Sequence, residues 1–296
     1  MKAEPLRRAA PGSTRNQKEM SVDDAIRSLR ADPAFADLVR DAYLGPDVRD
    51  SAARFRSSAE WKATVEVLRP WLDDAVVVDL GAGSGIASAA FAHSGARSVY
   101  AVEPDPSDEV GRGAIARLAP GPAVTVIDAM GEDLPLDDAS VDIVYARQVL
   151  HHASDLPELI RECARVLRHG GAFFAVREHV VADASELEEF LANHPVHRLA
   201  GGENAYRLDE YERAIRGADL TLTRRFGPWD SVINAFPAVA SNDELAAYAR
   251  TALATRFGAV GALVAKLPGV DFLMWNRIRR HVAGEIHAFL AVKTGP

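Results

Sequence analysis

The feature that most narrows the fold is the run Val76-Val77-Val78-Asp79-Leu80-Gly81-Ala82-Gly83-Ser84-Gly85. A short, wholly apolar strand runs straight into alternating glycines, and an alanine-rich helical segment follows at 86–93. Glycine lets the backbone turn sharply and lets a ligand approach where a Cβ would collide. The same beat continues downstream. Strand-like segments at 75–80, 98–103, 123–128, 141–146 and 172–176 alternate with helical ones at 86–93, 109–118 and 155–167, the last stopping at His169-Gly170-Gly171 as at a helix C-cap. Strands apolar along their whole length and separated by helices form a parallel sheet covered on both faces, so a doubly wound α/β domain is expected.

Eighteen residues past Gly85, Glu103 closes the second strand in Val99-Tyr100-Ala101-Val102-Glu103-Pro104. A carboxylate there can accept both hydroxyls of a ribose. The glycine spacing is Gly81-x-Gly83-x-Gly85, not the Gly-x-Gly-x-x-Gly of dinucleotide sites, and Asp79 sits two residues ahead. Negative charge beside the loop repels a pyrophosphate and suits an amino group. A nucleoside with a cationic, amino-acid-like arm fits, and S-adenosylmethionine answers that description.

Four blocks in order then resemble the class I S-adenosylmethionine-dependent methyltransferases, of the small-molecule type that includes ubiquinone-biosynthesis methyltransferases. They are 78–85; Val102-Glu103-Pro104; Met130-Gly131-Glu132-Asp133-Leu134-Pro135 ahead of Ser140-Val141-Asp142-Ile143-Val144; and Leu150-His151-His152 with 165–171. The resemblance implies a Rossmann-like, doubly wound seven-stranded sheet of order 3-2-1-4-5-7-6 with its last strand antiparallel. It also implies roles. Gly81, Ala82, Gly83 and Gly85 lie under the cofactor, Asp79 faces its amino group directly or through water, and Glu103 with Pro104 borders the ribose. Met130, Gly131 and Glu132 border the adenine; many relatives have Asp at Met130, whose thioether packs on the ring instead, with Asp128 as a lesser substitute. Ala146 and Arg147 face the methionyl arm.

Methyl transfer from a sulfonium asks a protein for alignment, exclusion of water and, for some acceptors, removal of a proton. The acid–base candidates are His151, His152, Glu178 and His179, which follow the fourth and fifth strands at the edge where such folds bind ligands. Their other reading is ordering of the loops by hydrogen bonds. His194 and His197 flank Pro195-Val196 without a nearby carboxylate pair, so no metal site is expected. The turn Gly201-Gly202-Glu203-Asn204-Ala205-Tyr206 reads equally as a substrate border or a surface loop.

The organisation expected is a basic tail at 1–20 without enough apolar residues to order itself, an N-terminal helical cap at 21–72 including an interrupted helix at 57–71, and a catalytic domain at 73–296. The segment 183–208 reads as loop-rich, a helix at 209–217 precedes a strand at 220–226, and a last strand lies at 285–292. Between those strands a helical insertion at about 236–283 holds helices at 243–257 and 271–283 and serves as a lid. Phe272, Trp275, Ile278 and Val282 form an apolar stripe there, and Arg277, Arg279, Arg280 and His281 a basic patch suited to an anionic group on the substrate.

A formal net charge of −8 argues against nucleic acid as partner, and a single cysteine, Cys163, excludes a disulfide framework or an iron–sulfur cluster. No segment approaches a membrane span, so a cytoplasmic enzyme acting on a small molecule is expected, with a homodimer allowed by the lid. O-methylation is preferred over C- or N-methylation. The alternatives are an S-adenosylmethionine-binding cyclase or regulatory binder, and an NAD(P)-dependent oxidoreductase.

Overall fold

The computed structural model describes residues 20–267, 269, 273–275, 277, 279 and 281–295. Among these the sheet has eight strands: β1 Val76–Leu80, β2 Ser98–Val102, β3 Val124–Ile127, β4 Val141–Arg147, β5 Leu167–Val181, β6 Tyr206–Arg207, β7 Leu220–Phe226 and β8 Glu285–Lys293. Their order is β3-β2-β1-β4-β5-β8-β7, with the two-residue β6 paired to the far end of β5. Strand β8 is antiparallel to both neighbours. Without β6 this is the expected order of seven; β6 is an addition that composition could not announce.

The sheet is buried on both faces because its residues alternate between two cores. Val76, Val78, Leu80, Val144, Ala146, Phe173 and Ala175 pack on one side. Val77, Ile143, Tyr145, Phe174 and Val176 pack on the other. Helices α1 Val22–Ala31, α2 Ala36–Asp41, α3 Val48–Ser57 and α4 Ala59–Leu72 precede the sheet. Then come α5 Ile86–His93, α6 Arg112–Leu118, α7 Leu156–Val166, α8 Ala184–Asn193, α9 Pro195–Ala200, α10 Leu208–Arg216, α11 Val232–Ala235 and α12 Asn242–Val264. Helix α7 shows how the pattern works: Leu156, Leu159, Ile160 and Cys163 recur at helical spacing and are buried, and Asp155 caps its start by accepting from the Glu158 N–H. Each such aliphatic side chain removed from water contributes about 1.5–3 kcal/mol.

Several expected boundaries move. Helix α7 ends at Val166, and Gly170-Gly171 is no helix cap: Leu167 already pairs with Val141, and the glycines turn the chain through a register shift before Ala172 meets Ile143. Gly170 takes φ +79° there. Pro70 does not end α4, which runs on to Leu72, and Trp71 Nε1 beside it donates to the Gly170 carbonyl at 2.7 Å. Helix α6 begins at Arg112, because the chain before it is folded back on Glu103 and Pro104, whose carbonyls accept from Arg112 Nη1. The 183–208 segment carries α8, α9 and β6; Leu187, Phe190 and Leu191 form a buried face against Val181 and Ala205. The insertion helix continues past 257 to Val264 across a kink at Gly258. Residues 1–19, Phe272, Ile278 and Arg280 lie outside the described residues, so the tail up to residue 19, half of the apolar stripe and part of the basic patch do as well. No helix among the described residues is long and apolar enough to cross a membrane.

Helix α1 is fastened to the chain that follows β2. In α1, Asp23 accepts from the backbone N–H groups of Asp108 and Glu109, while Arg27 and Arg30 pair with the Glu109 carboxylate. At its start the Met20 N–H reaches the Leu199 carbonyl of α9. One helix therefore spans from the β2 end to the α8–α9 region.

Candidate active site

The turn after β1 needs its glycines. Gly81, Gly83 and Gly85 all have positive φ, at +58°, +56° and +78°. A Cβ on Gly81 would stand 2.7 Å from Val149 Cγ2, and one on Gly85 would meet Ile115 at 3.1 Å. The turn is docked on β2: the Ala82 N–H donates to the Val102 carbonyl at 2.9 Å and the Gly83 N–H to Glu103 Oε2 at 2.6 Å. Glu103 Oε1 accepts from the Asp105 N–H at 2.8 Å. Each carboxylate oxygen keeps a further lone pair, which is what a pair of ribose hydroxyls requires. Burial pushes the Glu103 carboxyl up from its ordinary range, against these N–H bonds. Pro104 beside it is exposed. Gly85 is the N-cap of α5, and the first-turn N–H groups of that helix receive no side-chain cap.

Asp79 is buried, and Ser88 Oγ donates to its Oδ2 at 2.5 Å. Burial raises its carboxyl to about 7, with Ser88 pulling the other way. Met130 is about half exposed at the end of the β3 loop, beside Gly131, where a Cβ would strike Leu159 at 2.9 Å. The Glu132 carboxylate turns to the start of α7 and accepts from the Ser154 N–H at 2.9 Å. Asp128 is paired with Arg112.

Ala146 is fully buried at the end of β4. The Arg147 guanidinium grips Glu60 of α4 through both oxygens, at 2.6 and 3.2 Å, and lies over the rings of Tyr43 and Phe55. Sequence reasoning did not single out Glu60, an acid at a buried helical position. Arg177 joins it from β5, its Nε 4.0 Å from Glu60 Oε1 and its Nη1 on the carbonyls of Ile233 and Phe236. Arg177 has φ +60° and sits in a bulge, where Val176 and Arg177 of β5 stand against the single Ala288 of β8. The bulge re-aims the strand.

That turn brings Glu178 under the loop after β4. It is fully buried and accepts from the Val149 N–H at 2.9 Å, the His151 N–H at 3.2 Å and His151 Nδ1 at 2.7 Å. His152 Nδ1 meets the Gly202 carbonyl at 3.2 Å. Gly201 and Gly202 take φ of +68° and +87°, which swings Glu203 inward. Its carboxylate lies 3.7 Å from both His151 Nε2 and His152 Nε2, and 3.8 Å from His194 Nδ1. The carboxylate missing from the sequence around His194 thus arrives from the 201–206 turn. His179 donates its Nδ1 to the Gly284 carbonyl at 2.8 Å, with its ring 5.1 Å from that of His151. His197 stands apart on α9, its N–H turned to His194.

Burial opposes charge on His151, but Glu178 and Glu203 on either side hold its imidazole up at about 9. Burial and the charge on His151 bring His179 down to about 4. Glu203 is held at about 2 by the surrounding imidazoles, against the effect of burial. Two members of the basic patch are met by carboxylates: Arg279 pairs with Glu285, and His281 with Glu186 and Glu285.

Val149 ties the two halves together, touching the Gly81 position two residues before His151. The glycine turn and the histidine–glutamate cluster therefore share one edge of the sheet. Such an edge can hold a nucleoside across β1 and β2 and set a second molecule before the imidazoles.

Comparisons with known proteins agree with this geometry. Residues 78–175 match the family model described as a methyltransferase domain. A ubiquinone biosynthesis O-methyltransferase of Rhizobium etli is 30% identical over 195 residues, 64% of this chain and 73% of the relative. A dimethylglycine N-methyltransferase of Parasynechococcus marenigrum is 32% identical over 147 residues, 49% of this chain and 51% of the relative. Among solved structures, the geranyl diphosphate C-methyltransferase of Streptomyces coelicolor shares the fold with a TM-score of 0.52 at 15% identity, covering 90% of this chain and 88% of that one. An S-adenosylmethionine dependent methyltransferase of Mesorhizobium loti gives 0.51 at 18% identity, covering 80% and 98%. The chain belongs to the class I S-adenosylmethionine-dependent methyltransferases, enzymes that use S-adenosylmethionine as methyl donor and leave S-adenosylhomocysteine.

Proposed function

We propose that the acceptor atom of this small-molecule methyltransferase is an oxygen, and that the cluster of His151, His152, Glu178 and Glu203 removes the acceptor's proton through His152. Burial and the charge on His151 keep the His152 imidazole below its ordinary range, while His151 holds its own proton. The observation that carries the reading is the His151–Glu178 pair, buried beside the glycine turn with Glu203 on its far side. A hydroxyl is a poor nucleophile until it loses its proton, whereas a neutral amine attacks through its lone pair without such help. A carboxylate-backed imidazole pair is therefore worth most to a hydroxyl acceptor. The O-methylating relative from Rhizobium etli supports the same choice.

Within this reading Gly81, Ala82, Gly83 and Gly85 cradle the cofactor, Glu103 with Pro104 holds the ribose, and Met130, Gly131 and Glu132 lie along the adenine. Asp79 and the Ala146–Arg147 end of β4 serve the methionyl arm, Arg147 through the backbone because its guanidinium is committed to Glu60. When bound, S-adenosylmethionine supplies a methyl group on a sulfonium: the new bond to oxygen forms as the carbon–sulfur bond breaks, with its electron pair left on sulfur. Helix α1 shields that edge from water by bridging Glu109 and Leu199.

Labelled S-adenosylmethionine with a panel of hydroxyl, amine and activated-carbon acceptors tests the reading, with the labelled atom located in each product. Methyl ethers are expected; methylamines as the dominant product would overturn it. Calorimetry with S-adenosylhomocysteine tests the cofactor residues alongside. Glu103→Ala is expected to weaken binding about tenfold or more, equivalent to roughly 1.4 kcal/mol.

A further inference from the structure

We propose that His151, His152 and Glu203 form a binding site for one divalent transition-metal ion, open on one side to the acceptor. The proposal deepens the oxygen reading and rests on it only for the role of the ion, because the site itself stands on geometry.

The three ligand atoms all lie within 4.8 Å of one another. Both Nε2 atoms are 3.7 Å from the same oxygen, Glu203 Oε2. That is too long for a hydrogen bond. It is the spacing of atoms that share an ion, since ligands about 2.0–2.2 Å from a metal stand roughly 3–4 Å apart. Imidazoles serving only to pair with this carboxylate would close on it to hydrogen-bond distance.

The orientation of each ring points the same way. His151 is pinned through Nδ1 by Glu178, and His152 through Nδ1 by the Gly202 carbonyl. Both hydrogen bonds engage Nδ1 and leave Nε2 on the Glu203 side, where an ion would displace any proton that nitrogen carries. A histidine ligand with its other nitrogen held by a carboxylate or a carbonyl is the usual outer arrangement of protein metal sites. Access is one-sided, as a site with an open coordination position needs: the His151 side chain is 2% exposed and Glu203 12%, while His152 is 45% exposed. His194 stands behind Glu203, with its Nδ1 turned to the other oxygen at 3.8 Å and to the His197 N–H, and is not needed as a ligand.

Two imidazole nitrogens and one carboxylate suit zinc, cobalt, manganese or ferrous iron and suit magnesium poorly. With an ion bound, His151, His152 and Glu203 would serve as its ligands and not as the base. The ion would lower the pKa of an acceptor hydroxyl on its open face, so that the proton would pass to water and the oxygen would keep the electron pair that attacks the methyl carbon.

The test uses the full chain, stripped with a chelator and then titrated with Co²⁺ by visible absorption and with Zn²⁺ by calorimetry. Mg²⁺ serves as a control, and S-adenosylhomocysteine binding as a check on the fold. Saturable binding of one ion per chain is expected, weakened by about tenfold or more in both His152→Ala and Glu203→Gln. Absence of saturable Co²⁺ and Zn²⁺ binding in a protein that still binds S-adenosylhomocysteine would overturn the site. So would binding left unchanged by both substitutions, since the ion would then sit elsewhere. Product analysis separates the two proposals. Methylamine products from a metal-binding protein would sink the oxygen reading and leave the site. Methyl ethers formed equally fast by stripped and loaded enzyme would sink the ion's role and leave the oxygen reading.

Discussion

His151 Nδ1 donates to Glu178 Oε2 across 2.7 Å in a space closed to solvent, and the same carboxylate accepts the backbone N–H groups of Val149 and His151. One side chain thus holds the whole turn that follows β4. Glu178→Ala strands those N–H groups, each costing about 1–3 kcal/mol when buried and unpaired. A loss of about 3 kcal/mol or more in urea unfolding is expected, with faster hydrogen exchange at residues 149–152. Glu178→Gln, which keeps one acceptor oxygen, is expected to lose less than half of that. Equal losses would show that the hydrogen bonds are not what holds the turn.

Glu60 faces two guanidiniums, Arg147 directly and Arg177 at 4.0 Å, and is fully buried. Removing the carboxylate leaves both charges without their partner, a change that costs about 3–5 kcal/mol when ion pairs are buried. Glu60→Gln is expected to lower stability by that order and to release α4 from β4. A stability within about 0.5 kcal/mol of wild type, the range of ordinary surface substitutions, would contradict it.

Gly81→Ala combines a positive φ of +58° with a Cβ 2.7 Å from Val149 Cγ2. Strain and overpacking together are expected to cost about 2–4 kcal/mol. Val149→Ala removes the collision but not the backbone strain, so the double variant should recover about half of the loss. A double-mutant cycle with no coupling would place the cost elsewhere.

Asp79 links stability to pH. Its carboxyl is raised by burial to about 7 from an ordinary 3.8, so the folded protein holds that proton more tightly than the unfolded chain does. The group therefore costs nothing below about pH 4, and its penalty grows as pH rises, reaching about 4 kcal/mol above pH 7. Asp79→Asn should match wild type at pH 4 and exceed it in stability at pH 8. Binding of a cationic cofactor should favour the ionised form, so wild-type affinity for S-adenosylmethionine should rise between pH 6 and 8 and that of the variant should not. Parallel profiles for the two proteins would remove Asp79 from the methionyl arm.

The strand–glycine–helix run at 76–93 was legible because strand, turn and helix are consecutive there, and local sterics decide all three. The boundaries near Gly170 and at 183–208 were not. Gly170-Gly171 carries the same local signal whether it caps a helix or turns a strand through a register shift, and only pairing of Leu167 with Val141 separates the two. Leu187, Phe190 and Leu191 did carry a helical pattern, hidden among prolines, glycines and histidines. At the site, Glu103 was readable from its place at the end of β2, while Glu60 and the inward turn of Glu203 were not, since both act across long sequence separations.

By itself the sequence determined the doubly wound sheet, the glycine turn and the kind of cofactor it serves. The first two follow from apolar periodicity and from backbone conformations that only certain residues adopt. The cofactor follows from the Asp79 and Glu103 carboxylates about the turn, together with the resemblance of four blocks to the methyltransferases. Only the tertiary structure decided that the bulge at Arg177 brings Glu178 beneath His151, and that Gly201 and Gly202 bring Glu203 above it. A hydrogen-bonded cluster drawn from three separate segments depends on strand register and loop closure, and neither leaves a periodic mark on the residues that make it.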